Sequence, residues 1–360
     1  MKHDVEYIIV GQGIGGSTLA QYMINQGCSV LVFGSPEHKR TSEVAAGLFN
    51  PITGKKMVLT WNAEILFPLL HEFYTKSEKI FGLNFFHPKP IYRPFSDIQS
   101  QNDFWGKSDK NIDAFAIADA DHSFYEPYIH NEYGGITTRL SGYLDVNMYL
   151  NAVKTLLCDQ NRYLEEVFDY KQLIVEKEGV RYKGLTAGKV IFAEGYHNKY
   201  NPYFNWLPVQ GMKGDVLTVQ IEDYPLKEVV NKHYFIIPLQ NNTFKIGSSY
   251  IRNFDDDKPT ELGLKEITEG ANKILKKPFR VLMQQAGIRP VVSDHRPIVG
   301  AHPEYPSLLV LNGLGTKGVS LAPFASKVLT GFLKDGQEIE QSVSVNRFYY
   351  LYFKQKRILI

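Results

Sequence analysis

At 360 residues the chain exceeds what one ordinary hydrophobic core supports, so two domains are expected. A formal net charge of +2 is too small to argue for nucleic acid or an anionic membrane, and two cysteines, Cys28 and Cys158, make no disulfide framework. No apolar run approaches ~18 residues, and Asp4 and Glu6 stand where a signal peptide would be uncharged; the expectation is a cytoplasmic protein with no membrane partner, both cysteines buried and inert.

The first predicted element is a strand over Val5-Glu6-Tyr7-Ile8-Ile9-Val10, feeding into Gly11-Gln12-Gly13-Ile14-Gly15-Gly16 and a helix that ends near Gly27. This is the context that a dinucleotide fingerprint requires. Gly11 permits the tight turn off the strand, Gly13 lets a pyrophosphate approach the backbone, and Gly16 lets the helix pack close to the strand. Ile14 opens the helix, where unpaired N–H groups and the macrodipole favour an anion. Ser29-Val30-Leu31-Val32-Phe33 reads as the second strand. The acidic residue that usually holds a ribose at its end is replaced by Gly34. Either the ribose is held otherwise, with Ser35 the candidate and a glutamate at 34 tolerated, or the site takes NADP with Lys39 or Arg40 on its 2′-phosphate.

Next comes Thr41-Ser42-Glu43-Val44-Ala45-Ala46-Gly47-Leu48-Phe49-Asn50-Pro51, whose small residues suit either a flat ring lying on the backbone or tight packing of elements. Trp61 to Phe81 has the apolar spacing of an amphipathic helix. From Phe85 to Tyr133 prolines and aromatics suggest an inserted region of short strands and loops. Regular alternation returns with a helix over Leu144 to Leu157, Asp145 its possible N-cap, strands over Leu164 to Phe168 and Leu173 to Glu178, and a buried strand from Lys189 to Gly195. Alternating β pattern follows at Val216 to Val219, Phe235-Ile236-Ile237-Pro238 and Thr243 to Gly247, with a helix between Leu262 and Leu275. The chain then shows Gly287-Ile288-Arg289-Pro290, a strand over Leu308 to Leu311, and a second glycine-rich turn, Asn312 to Gly318, opening a last long helix. No metal site is read anywhere in the chain.

In their joint order these segments resemble the FAD-dependent D-amino-acid oxidase and glycine oxidase superfamily. The likeness rests on the N-terminal fingerprint, Ala45-Ala46-Gly47, the strand ending at Gly195, Phe235 to Pro238 with Ile246-Gly247, and Gly287 to Pro290 with Asp294, Pro297 and Gly300. Asn312-Gly313-Leu314-Gly315-Thr316-Lys317-Gly318 completes it. Through Gly247-Ser248-Ser249-Tyr250, Asp294 to Gly300 and Leu314 to Gly318, the chain is also similar to the FAD domain of the bifunctional enzyme that matures 5-methylaminomethyl-uridine in tRNA.

The resemblance implies an α/β fold. A Rossmann-type FAD-binding domain would comprise 1–84, 140–205 and 284–360, and a discontinuous α+β substrate domain on an antiparallel sheet would comprise 85–139 and 206–283. It favours FAD over NADP, because a second helix N-terminus would stabilise the charge that reduction leaves near flavin N1. Gly11, Gly13, Ile14, Gly16, Ser35, Ser42, Ala46, Gly47, Val167, Ala193, Gly195, Gly313, Gly315, Thr316, Lys317 and Gly318 would bind FAD non-covalently. Arg289 would grip a substrate carboxylate with its planar fork, and Lys317 would support reoxidation of the flavin. Phe235, a tyrosine in D-amino-acid oxidase, and Tyr250 would line the substrate. The implied activity is hydride transfer from a carboxylate-bearing amine or amino acid to flavin N5. Removal of a carboxymethyl group from a wobble uridine of tRNA is the alternative, and Lys354, Lys356 and Arg357 form a basic tail compatible with RNA.

Overall fold

The computed structural model describes residues 3–37, 40–54, 56–106, 112–118 and 122–358. The chain divides into two compact units, residues 1–43, 146–212 and 288–360 forming one, and 44–145 and 213–287 the other.

The first unit is built on a largely parallel sheet whose central strand is Val5–Val10, paired with Val30–Phe33 on one side and Leu185–Phe192 on the other. Tyr163–Leu164 continues the sheet beyond Val30–Phe33, and Leu308–Asn312 pairs parallel with Leu185–Phe192. Antiparallel strands Gly179–Tyr182, Leu173–Glu176 and Ile298–Ala301 complete it. All four residues of Val30–Phe33 and all five of Leu308–Asn312 are buried, which is why these strands read as continuous apolar runs rather than alternating ones. The helix Ile14–Asn25 packs against both Gly318–Asp335 and Val146–Asp159. Its buried polar residues are matched: the Tyr149 hydroxyl donates to Gln21 Oε1 at 2.8 Å, and Gln12 Nε2 donates to Ser17 Oγ at 3.0 Å and to the Leu150 carbonyl at 2.9 Å.

The second unit is a mostly antiparallel sheet in the order Phe279–Val291, Gln210–Ile221, Thr243–Gly247, Phe235–Pro238, Val229–Asn231, Ile91–Pro94, Gly135–Thr138, Ala116–Ala118. Alternation gives its faces different tasks. Phe244, Ile246 and Ile236 enter a core shared with Ile267 and Ala271 of the helix Glu261–Asn272. The other face carries a smaller apolar group of Ile91, Val229 and Ile237, against which Ala46, Leu48, Tyr143 and Phe235 pack.

Several expectations are corrected. Residues 44–84, read with the first domain, belong to the second unit: Leu48–Phe49 pairs with Gly142–Leu144, and the buried Arg93 guanidinium donates to the carbonyls of Ile52 and Gly54. The region read as irregular contains the helix Ile98–Trp105, started by a reciprocal capping box between Asp97 and Ser100. The strand read to Phe168 is only Tyr163–Leu164. Cys28 is buried as expected, whereas Cys158 is exposed, because it falls on the outer face of Val146–Asp159.

One buried carboxylate fixes the loop that carries Tyr250. Asp215, 0% exposed, accepts hydrogen bonds from the backbone N–H of Thr260 at 3.0 Å, Thr260 Oγ1 at 3.2 Å, Ser249 Oγ at 3.1 Å and Gln284 Nε2 at 2.9 Å. Replacing it with alanine leaves several buried donors unmatched. Asp215→Ala should lower the unfolding free energy by ~2–4 kcal/mol, measured by urea denaturation, and Asp215→Asn should lose less because the amide oxygen still accepts.

Candidate active site

At the first turn, two positions admit only glycine. Gly11 has φ +108°, and a Cβ on it would fall 2.4 Å from the Ala193 carbonyl oxygen; one on Gly16 would fall 1.8 Å from the carbonyl oxygen of Gly11. Gly13 is the N-cap, extended, and has no side chain of its own to cap the helix. A Cβ there would meet only Ser42 Oγ, at 3.3 Å. Ser42 Oγ accepts the N–H of Ile14 at 3.0 Å, so it borders the turn. Arg40 reaches Gln12 Oε1 and Glu43 beside it.

The second turn is tied into the same unit. Asn312 Nδ2 donates to the Gly195 carbonyl at 2.9 Å and its Oδ1 accepts the N–H of Gly313 at 2.8 Å. Gly313 and Gly315 have φ of +72° and +52°. The N–H of Gly315 donates to the Pro290 carbonyl at 3.0 Å, and Thr41 Oγ1 to the Ile288 carbonyl at 2.7 Å. Arg289, half-buried, is thereby held between two anchored carbonyls. Lys317 is the N-cap of Gly318–Asp335, again with no side-chain cap; burial pulls its ammonium below the usual lysine range. Thr316 is exposed. A Cβ on Gly318 would lie 2.9 Å from Ile14 Cγ2, so the two helix N-termini are neighbours. One helix end suits a pyrophosphate and the other suits a ring that becomes anionic when reduced; these residues fit FAD.

The second unit gathers Ala46, Gly47 and Phe235. Ala46 and Phe235 pack on the same small apolar group. Gly47 has φ +73°, and a Cβ on it would fall 1.9 Å from the Leu144 carbonyl oxygen. Tyr250 is 61% exposed and does not join them. Lys245, which the motif reading passed over, stands opposite Ile237 on the face that bears this group. Its ammonium donates to the Ala45 carbonyl at 3.5 Å, and burial pulls its pKa down. The signal was available: in Thr-Phe-Lys-Ile-Gly the lysine alternates out of phase with two core residues.

Around the missing acid the structure departs from the sequence reading. Ser35 Oγ accepts the N–H of Glu37 at 3.2 Å and so closes its own turn. Val167 is exposed, in the loop after Tyr163–Leu164. A Cβ on Gly34 would fall 2.1 Å from the Tyr163 hydroxyl oxygen and 2.8 Å from Tyr163 Cζ. A glutamate at 34 is therefore not tolerated unless that ring moves. Lys39 lies outside the described residues.

Glu194 sits between Ala193 and Gly195, partly buried, where it accepts from the Tyr170 hydroxyl and from Asn201 Nδ2. Burial raises its pKa from 4.5 to about 7. The folded state therefore binds a proton that the unfolded state has released between about pH 4.5 and 7. This contribution is present below pH 4.5 and lost as pH rises through about 7. The loss should be about 3 kcal/mol in order of magnitude. In Tm measured against pH, Glu194→Gln should flatten the decline over this window, whereas an unchanged profile would assign it to another group.

A parallel sheet with a glycine turn at the tip of its central strand, joined by a second helix end, defines a dinucleotide-binding flavoprotein. Residues 6–331 match the family model described as DAO, FAD dependent oxidoreductase. The chain belongs to this family, and it is an FAD-dependent oxidoreductase. Glycine oxidase of Bacillus subtilis is 23% identical to it, over 95% of this chain and 96% of that one. The tRNA 5-methylaminomethyl-2-thiouridine biosynthesis bifunctional protein of Idiomarina loihiensis is 32% identical over 46% of this chain, but the match spans only 29% of that protein. Among solved structures, glycine oxidase of Bacillus cereus superposes with a TM-score of 0.75 at 20% identity, covering 93% of this chain and 96% of that one. Iminodiacetate oxidase of Chelativorans also gives 0.75, at 16% identity over 93% and 96%. These likenesses bear out the Rossmann-type fold with a second, substrate domain. Among the described residues no helix is long and apolar enough to cross a membrane.

Proposed function

We propose that the chain oxidises an amine carrying a carboxylate, and that Arg289 holds the carboxylate. The observation that supports this is the anchoring of Ile288 and Pro290 to Thr41 and the Gly315 turn. It ties a guanidinium to the helix end expected to face the flavin. Glycine oxidase and iminodiacetate oxidase are named for amines of this kind.

In this reading Gly11, Gly13, Ile14, Gly16 and Ser42 hold the pyrophosphate, and Ala193 and Gly195 line the cofactor channel, with Val167 presenting its backbone to the adenine. Ala46 and Gly47 border the isoalloxazine, while Gly313, Gly315, Thr316, Lys317 and Gly318 face its pyrimidine end. Bound non-covalently, FAD supplies a two-electron acceptor. The protein's part is to fix the substrate. The Arg289 fork takes both carboxylate oxygens and limits the orientations of the adjoining carbon. Phe235 gives an apolar wall without the hydroxyl that a tyrosine would offer. Lys317, positive at a helix N-terminus, stabilises negative charge as electrons leave for an acceptor.

Replacing Arg289 with leucine keeps the apolar stem and removes the fork. The expected loss is ~2–4 kcal/mol in kcat/KM, about thirty- to a thousand-fold, for amines bearing a carboxylate. Amines without one should lose far less, and flavin content and Tm should hold. Anaerobic flavin reduction by both kinds of amine decides the matter. Equal losses for both, or a variant without flavin, would mean that Arg289 supports the fold.

A second reading follows from the 32% identity to the tRNA-modifying protein: removal of a carboxymethyl group from a wobble uridine. Of the basic tail, Lys356 is ion-paired with Glu304, which leaves less charge for RNA. Anaerobic bleaching of the flavin by tRNA bearing a carboxymethylaminomethyl uridine, and not by small amines, would replace the first reading with this one.

A further inference from the structure

We propose that the hydroxyl of Tyr163 takes over the work of the missing acid and anchors the ribose of the FAD adenosine. The inference concerns the cofactor alone and stands whatever amine is oxidised. In dinucleotide folds the ribose is held at the tip of the second strand by a carboxylate. Here that tip is Gly34, directly after Val30–Phe33, and it lies next to the fingerprint, because the N–H of Gly11 donates to the Phe33 carbonyl at 2.8 Å. The place is not vacant. Tyr163–Leu164 runs parallel to Val30–Phe33 with Tyr163 opposite Val32, and the tyrosine oxygen lies 2.1 Å from where a Cβ of residue 34 would stand. Glycine and tyrosine are thus two halves of one arrangement: any side chain at 34 evicts the ring.

The ring is held in this seat. Lys154 Nζ lies 5.0 Å from its centroid and pairs with Glu165 at 2.7 Å, an arrangement that stacks a cation on the ring face. Partial burial raises the hydroxyl's pKa above the usual tyrosine range, so it stays protonated and can both donate and accept. Among the described residues it has no hydrogen-bond partner. A ribose diol, itself donor and acceptor, matches such a group directly or through one water.

The test measures FAD affinity of the full-length apoprotein by quenching of flavin fluorescence. Tyr163→Phe keeps the ring and removes the hydroxyl; it should weaken FAD about three- to tenfold and leave the Tm of the apoprotein unchanged. ADP should weaken in proportion and FMN, which lacks the adenosine half, should not. Gly34→Ala should weaken FAD similarly by displacing the ring, with no further loss when combined with Tyr163→Phe. The exchange Gly34→Glu with Tyr163→Ala should restore affinity, whereas Gly34→Glu alone should not. Unchanged FAD affinity in Tyr163→Phe, equal weakening of FMN, or tighter binding by Gly34→Glu alone would each overturn the proposal.

Discussion

The approach of the helix Ile14–Asn25 to its surroundings sets the geometry of the first unit. At one end it comes so near the strand Val5–Val10 that a Cβ on Gly16 would sit 1.8 Å from the Gly11 carbonyl oxygen, and a Cβ on Gly318 would sit 2.9 Å from Cγ2 of its first residue, Ile14. These contacts bring two helix N-termini together, neither capped by the side chain of its own N-cap residue. Each end carries roughly half a positive charge, so the pair is mutually repulsive until something negative lies against it. An anionic dinucleotide supplies that charge. By linkage the folded unit gains stability from any ligand that binds it and not the unfolded chain. The same contacts that shape the binding place therefore make the bound state the favourable one.

What could be read from the sequence was what glycine encodes locally. Gly11, Gly313 and Gly315 take the positive φ that turns after a strand require, and Gly11 and Gly16 stand where a Cβ would strike a carbonyl. Readings that depended on distant partners did worse. Residues 44–84 look like a continuation of the first domain until Leu48–Phe49 is seen paired with Gly142–Leu144. Cys158 sits in an apolar-looking stretch, yet helical phase turns it outward. The helix Ile98–Trp105 is mostly polar and announces itself only through its capping box. Gly34 was read as a deficit because the residue that fills its space comes from a strand far along the chain.

The second unit shows alternation working in both directions. Thr243–Gly247 sends Phe244 and Ile246 into the core under Glu261–Asn272, so Lys245 must emerge beside Ile237, Phe235 and Ala46. A lysine in that position costs desolvation, seen in its lowered pKa, and packing alone would have preferred valine or isoleucine there. Asp215 makes the opposite bargain. Fully buried, it is supplied with donors from three segments, so its charge organises the chain around it. The first residue is left short of partners and the second is saturated. That contrast separates a group available to a ligand from one committed to the fold.

Exchanging a carboxylate for a hydroxyl at the ribose position also changes the field over the pyrophosphate. A glutamate at 34 would make a charge-assisted hydrogen bond to the ribose worth ~1.5–3 kcal/mol, against ~0.5–1.5 kcal/mol for a neutral hydroxyl. It would also bring one negative charge near two phosphates that are negative already. With Tyr163 in its place that repulsion is absent, while the nearby cations Arg40 and Lys154 are each already paired, with Glu43 and Glu165. The direct contact is weaker and the surrounding potential more favourable to an anion. Because potential reaches farther than a hydrogen bond and is screened by salt, the two designs differ in character: a carboxylate anchor gives affinity that gains as salt screens its repulsion of the phosphates, and the hydroxyl, free of that repulsion, gives affinity that depends less on ionic strength.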